Sequence, residues 1–204
     1  MTPTSTYTNP LSGIILAGGK SRRMGENKAF IRVGPKPIIE TIVDLFRELF
    51  AETLIVTNQS PLYSHLGVNV YEDILPERGA LGGLYTGLLR ASSPLSFVAG
   101  CDMPSLRGSV ITYLCELTND NDVVVPRTPD GLQPLHAVYS KKCLGPIEEL
   151  LSAGGHRIFD FFPSVKVRIV SSEELLSVDP GLESFVNINT PEDLESLRRR
   201  DRVE

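Results

Sequence analysis

Two short stretches hold residue types suited to phosphate chemistry. The first is 13-GIILAGGKSRRMGENK-28, where Gly18 and Gly19 follow directly on an apolar run. Glycines lack a Cβ, so their backbone N–H groups can approach a ligand closely. Lys20, Arg22, Arg23 and Lys28 then place four cations within nine residues, a pattern that suits a polyphosphate. The plain alternative is a surface loop with solvated charges. The second stretch is 98-VAGCDMPSL-106, where Asp102 stands just past an apolar run and Pro104 stops that run from continuing. A lone carboxylate at such a place suits Mg²⁺, which takes one or two carboxylates and completes its shell with phosphate oxygens and water. A turn or helix-capping aspartate is the alternative there.

Gly19-Lys20-Ser21 ends like a P-loop, but a P-loop needs a glycine five residues before Gly19, and that position is Ile14. A G-x-G-x-x-G dinucleotide fingerprint is also absent. Two further polar residues follow apolar runs. Asp73 lies in 70-VYEDILPERGALGG-83, suited to a base or ribose or to capping a turn. The glycines at 79, 82 and 83 after it would let backbone pack against a flat ring. Asn58, in 55-IVTNQS-60, carries the amide donor and acceptor that reading a base edge needs, and a turn asparagine is its alternative. His136 is suited either to an acceptor or to an ordinary strand. No nucleophile is paired with a base in the sequence, and Cys101 beside Asp102 reads as packing.

These residues need elements to hold them. The apolar runs Gly13 to Leu16, Thr53 to Thr57, Val68 to Tyr71, Leu95 to Ala99 and Asp122 to Val125 read as strands. Helical patterns over 37–50, around 84–91 and over 110–117 alternate with them. Strand, loop and helix in alternation predict an α/β fold: a Rossmann-like three-layer sandwich with a mostly parallel central sheet. The later chain is less regular. Strands are expected within Pro134 to Ser140, Val165 to Val170 and Phe185 to Ile188, and a helix over Leu144 to Leu151. Thr190, Pro191 and Asp193 announce a last helix as N-cap, first residue and capping partner.

The 204 residues suffice for one well-buried domain, expected over residues 11–204 behind a polar tail at 1–10. The net charge of −5 argues against nucleic acid as a partner, while a few local cations can still hold a small anion. Three scattered cysteines without a CxxC read as reduced thiols. With no long apolar run and no signal-like N-terminus, the expected setting is the cytoplasm, without a membrane partner.

Taken in order, LAGGKSRRMG-x-x-K at 16–28, EDILPERGALGGLYTGL at 72–88, CDMP at 101–104, QPLHAVY at 133–139 and FVNINTPEDL at 185–194 resemble the MobA-type molybdenum cofactor guanylyltransferases of the nucleotidyltransferase superfamily. The resemblance covers nearly the whole chain. It implies Mg²⁺-dependent transfer of GMP from GTP to molybdenum-molybdopterin, releasing pyrophosphate. It implies that Leu16, Ala17, Gly18 and Gly19 meet the nucleotide and that Lys28 binds phosphate. Arg23 would neutralise the α-phosphate and leaving group, Asn58 and Asp73 would bind guanosine, and Asp102 would hold the metal. Asn187 and Asn189 would lie by the acceptor or the metal, with His136 a candidate on the acceptor side. Molybdoenzymes or other cofactor-biosynthesis proteins are the partners it suggests. Asn27 replaces an Asp common before the motif lysine, and Ala80 a common proline. The rival readings are a molybdopterin cytidylyltransferase, whose loop more often reads LAAG, a sugar-phosphate nucleotidylyltransferase, and a non-catalytic nucleotide-binding domain.

Overall fold

The computed structural model describes residues 11–18 and 27–200. Gly19, Lys20, Arg22 and Arg23 of the cationic loop lie outside the described residues, as does the tail at 1–10.

Eight strands form one sheet. β1 (Leu11–Leu16) lies between β2 (Glu52–Val56) and β4 (Leu95–Gly100), and β3 (Asn69–Tyr71) pairs with β2; all three pairings are parallel. Beyond β4 the sheet continues with β7 (His136–Ser140), which runs antiparallel to it. β5 (Val123–Thr128) follows, flanked by the short β6 (Gly131–Leu132) and, in parallel, by β8 (Val167–Val170).

Alternation along the strands separates the two cores. Ile15, Ile55, Phe97 and Val138 point to one face, where α1 (Ile38–Leu49) and α3 (Gly108–Glu116) cover them. Ile14, Leu16, Leu54 and Val98 point to the other, under α2 (Gly79–Arg90) and α4 (Leu144–Ser152). A strand buried on both faces needs no polar alternation, which is why these segments read as continuous apolar runs. The expected three-layer α/β fold is the one found.

α2 begins at Gly79, well before the expected Leu84, because its first turn is built from glycines that carry no helical pattern. Gly82 has its place for a physical reason: a Cβ there would meet the Leu75 carbonyl oxygen at 2.4 Å. Gly87 likewise lets the helix lie on Ile14, whose Cγ2 would be 2.7 Å from an added Cβ. Gly82 and Gly87 therefore serve helix packing. Phe185 to Ile188 is no strand. A 3₁₀ turn at Glu183–Phe185 leads into an extended connection outside the sheet. α5 (Ser172–Leu176) was not foreseen, whereas α6 (Pro191–Arg200) starts where its capping residues place it.

Candidate active site

Register brings the sequence's scattered polar residues into one row. Tyr71, Val56, Leu16 and Gly100 are aligned partners at the ends of β3, β2, β1 and β4. Two residues past each lie Asp73, Asn58, Gly18 and Asp102. The ladder continues into the intervening row: Thr57 N donates to Tyr71 O, Ala17 N to Val56 O and Cys101 N to Leu16 O, at 2.9–3.2 Å. Four neighbouring strands span roughly 14 Å, so the row runs that far along the carboxyl edge of the sheet. That edge is where open α/β sheets bind ligands.

At the β4 end the site is built around Asp102. Gly100 makes room for it, since a Cβ at Gly100 would lie 2.8 Å from Asp102 Oδ1. The Lys28 Nζ stands 3.8 Å from Asp102 Oδ2 and donates to Asn189 Oδ1 at 2.8 Å. Burial pushes the Asp102 carboxyl above its ordinary pKa, with Lys28 pulling it back only in part. A cation beside Asp102 would offset that cost of burial. Among the described residues no group of three or more His, Cys, Asp or Glu could hold a metal. A metal here would take one carboxylate and complete its shell from phosphate and water, which is the Mg²⁺ pattern, and the residues present fit it.

The segment carrying Asn187 and Asn189 is fixed to the same place. Ile188 N donates to Asp102 O at 2.9 Å, and the Ile188 side chain is fully buried. Asn187 is half-buried and Asn189 exposed on either side of it. Asp193 Oδ2 accepts from both Asn189 N and Thr190 N at 2.8 Å, while Thr190 Oγ1 accepts from Asp193 N. The cap of α6 therefore also positions the asparagine that holds Lys28. Upstream, Arg107 N donates to Ser184 Oγ and its guanidinium lies 3.4 Å from the fully buried Asp179, whose other oxygen accepts from Ser184 N. This clamp ties the same returning segment to the loop after β4.

At the β3 end, Asp73 Oδ1 accepts from Thr86 Oγ1 at 2.8 Å and from Leu75 N at 2.9 Å. Its Oδ2 makes no hydrogen bond among the described residues and faces Gly83, 3.9 Å from where a Cβ would stand. Half of the carboxylate shapes the turn, and the other oxygen has no partner among the described residues. Asn58 is exposed on the row. Leu16 and Ala17 are buried and engaged by the sheet; Ala17 O also accepts from Thr57 Oγ1 at 2.8 Å. They lead into the exposed Gly18, where a Cβ would meet nothing within 4 Å among the described residues.

His136 is not in the row. It is 0 % exposed, edge-on to Phe97 at 5.3 Å and 4.5 Å from the Phe185 ring. Burial pushes its pKa down to about 3, with the Ser184 backbone pulling the other way. It is a core aromatic with no surface to offer an acceptor. Cys101 is held protonated, pushed up to about 12 by burial and by neighbouring Asp102. The residues not foreseen are Thr57, Gln59, Tyr63, Thr86 and the Arg107–Asp179 pair. Each acts by positioning a neighbour, and a polar residue after a strand gives no sign of that in sequence.

A family model described as the MobA-like NTP transferase domain matches residues 13–166. The chain is 41 % identical over 189 residues to the molybdenum cofactor guanylyltransferase of Desulfosudis oleivorans, covering 91 % of this chain and 93 % of that one. It is 40 % identical over 187 residues to a protein of Pelotomaculum thermopropionicum named probable molybdenum cofactor guanylyltransferase, with 92 % and 91 % covered. In fold it is similar to molybdopterin-guanine dinucleotide biosynthesis protein A of Archaeoglobus fulgidus, with a TM-score of 0.82 at 24 % identity over 95 % of this chain and 100 % of the other. Strand row, exposed Gly18 and Lys28–Asp102 pair are thus set in a chain that belongs to the MobA-like NTP transferase family.

Proposed function

We propose that this enzyme is a molybdenum cofactor guanylyltransferase: it transfers GMP from GTP to the terminal phosphate of molybdenum-molybdopterin. An acceptor phosphate oxygen forms a bond to the α-phosphorus of GTP, the bond from that phosphorus to the β-phosphate oxygen breaks, and pyrophosphate leaves. The observation that carries the reading is the row Asp73, Asn58, Gly18 and Asp102 on four adjacent strands, with Lys28 3.8 Å from its last member. The names of relatives at 40 % and 41 % identity supply the base and the acceptor.

The nucleophile is a phosphate monoester, already deprotonated near neutrality, so no protein base is required. Anion must approach anion, and the task is charge neutralisation and in-line positioning. Lys28 supplies fixed positive charge, oriented by Asn189. Asn58 and the open oxygen of Asp73 take the guanosine end, and the Gly18 backbone the phosphates, with Gly19 and Arg23 assigned to the same work from the resemblance alone. Asn187 and Asn189 face the acceptor. Mg²⁺ held by Asp102 would supply charge stabilisation on the phosphate oxygens. Residues 11–204 act as one catalytic unit, with GTP and molybdenum-molybdopterin as substrates. No helix among the described residues is long and apolar enough to cross a membrane, and the cytoplasm suits these substrates.

Asp102→Asn tests the site. A group whose pKa is raised in the folded state gives stability below its unfolded pKa and loses it as pH rises through the folded value, so at neutral pH this carboxylate works against folding. The variant should lose at least about a hundredfold in turnover, while its Tm stays level or rises. Turnover near the parent's would remove Asp102 from the chemistry.

A further inference from the structure

Ala17 and Asn27, described residues on either side of 19–26, both bond to one short segment after β2. On one side, Thr57 Oγ1 donates to Ala17 O at 2.8 Å. On the other, Asn27 Nδ2 donates to Gln59 Oε1 at 3.0 Å. Asn58 stands between the two tethers, and Thr57 Oγ1 also accepts from Gln59 N at 3.2 Å. Asn27 is itself held from behind. Its Oδ1 accepts from Ala29 N at 3.1 Å, capping the 3₁₀ turn Lys28–Phe30, and its Nδ2 also donates to Tyr63 OH at 3.1 Å. Tyr63 is 0 % exposed and packs its ring 5.2 Å from Phe30. Asn27 thus has a rigid anchor on one side and an exposed glutamine on the other.

We propose that Asn27 and Gln59 form a latch that sets the distance between the phosphate-holding turn of Lys28 and the base-reading Asn58, so that base and triphosphate are bound as one unit. Both are positioning residues, and the inference rests on the nucleotide assignment above. The latch is separable from the lysine's own support. Gln59 touches only the Nδ2 side of Asn27, while Lys28 keeps its cap from Oδ1 and its bond to Asn189. Cutting it at Gln59 should therefore spare phosphate binding and harm nucleotide binding.

The test uses the full chain with Mg²⁺ and two probes, GTP and inorganic triphosphate, whose affinities are measured by calorimetry beside turnover with molybdenum-molybdopterin. Gln59→Ala should weaken GTP and lower kcat/KM by about tenfold, the size of one lost oriented contact, and should change triphosphate affinity by less than about threefold. Gln59→Glu should stay near the parent, because Asn27 Nδ2 can donate to a carboxylate. Asn27→Asp combined with Gln59→Glu should lose the function again, since two carboxylates face each other with no proton between them. Gln59 is exposed, so none of these changes at 59 threatens folding. Equal losses for GTP and triphosphate in Gln59→Ala, or no loss in either, would overturn the latch. Parent enzyme that neither binds GTP nor turns over would instead overturn the assigned function.

Discussion

At the scale of single residues, the site's logic is one of charges placed where water is scarce. Burial works against the charged form of Asp102, and Lys28 is too far at 3.8 Å to form a direct hydrogen bond. That cost is what a phosphate-bound cation would relieve. Gly19, Lys20, Arg22 and Arg23 lie outside the described residues, but Gly18, Lys28 and Asp102 were legible in the sequence as candidates, because residue type carries their chemistry. His136 was not. A histidine in an apolar run reads alike as ligand or core, and only packing between Phe97 and Phe185 decides it. Its depressed pKa, about 3 against an ordinary value near 6.5, has a stability consequence. Such a group gives stability above the unfolded pKa and loses it as pH falls through that window. His136→Phe should move the acid-unfolding midpoint to lower pH and leave the acceptor KM within about twofold of the parent. A large rise in that KM, with GTP KM unchanged, would return His136 to the acceptor site.

At the scale of elements, sheet register does what sequence spacing cannot. Asn58, Asp73 and Asp102 each follow an apolar run, but nothing in the sequence says that all three, with Gly18, stand two residues past one aligned row. The returning segment Phe185 to Ile188 looked like a strand because Phe185, Val186 and Ile188 are apolar; in fact it is zipped to Asp102 by a single backbone bond from Ile188. The glycines divide by role in the same way. Gly87→Ala would place a methyl 2.7 Å from Ile14 Cγ2, and Ile14 is fully buried with nowhere to go. Overpacking of about 1–3 kcal/mol outweighs the gain of about 1 kcal/mol from helix propensity, so Tm should fall. Gly18→Ala meets nothing within 4 Å among the described residues and should leave Tm unchanged, yet weaken GTP binding by about tenfold by blocking close backbone approach. Thermal scans of both variants beside GTP titrations check the contrast. A fall in Tm for Gly18→Ala without loss of GTP binding would reverse the roles.

At the scale of the whole molecule, the chain closes its site by bringing distant sequence together. Lys28 comes from a 3₁₀ turn, Asp102 from the turn after β4 and Asn189 from the approach to the last helix, and the cap of α6 fixes the last of these. The alternation of strands and helices made this α/β frame readable, since each strand buried on both faces shows as an unbroken apolar run. β7 was expected as a strand, but its antiparallel direction was not, because strand direction leaves no trace in such a run. Guanylyl transfer to a molybdopterin phosphate is the reaction this assembly would serve. The most direct measurement is pyrophosphate release by the purified chain with Mg²⁺ and either GTP or CTP, with and without molybdenum-molybdopterin. Release is expected with GTP, dependent on the molybdopterin and accompanied by the guanine dinucleotide product. Preference for CTP, or release from GTP that ignores the acceptor, would contradict it.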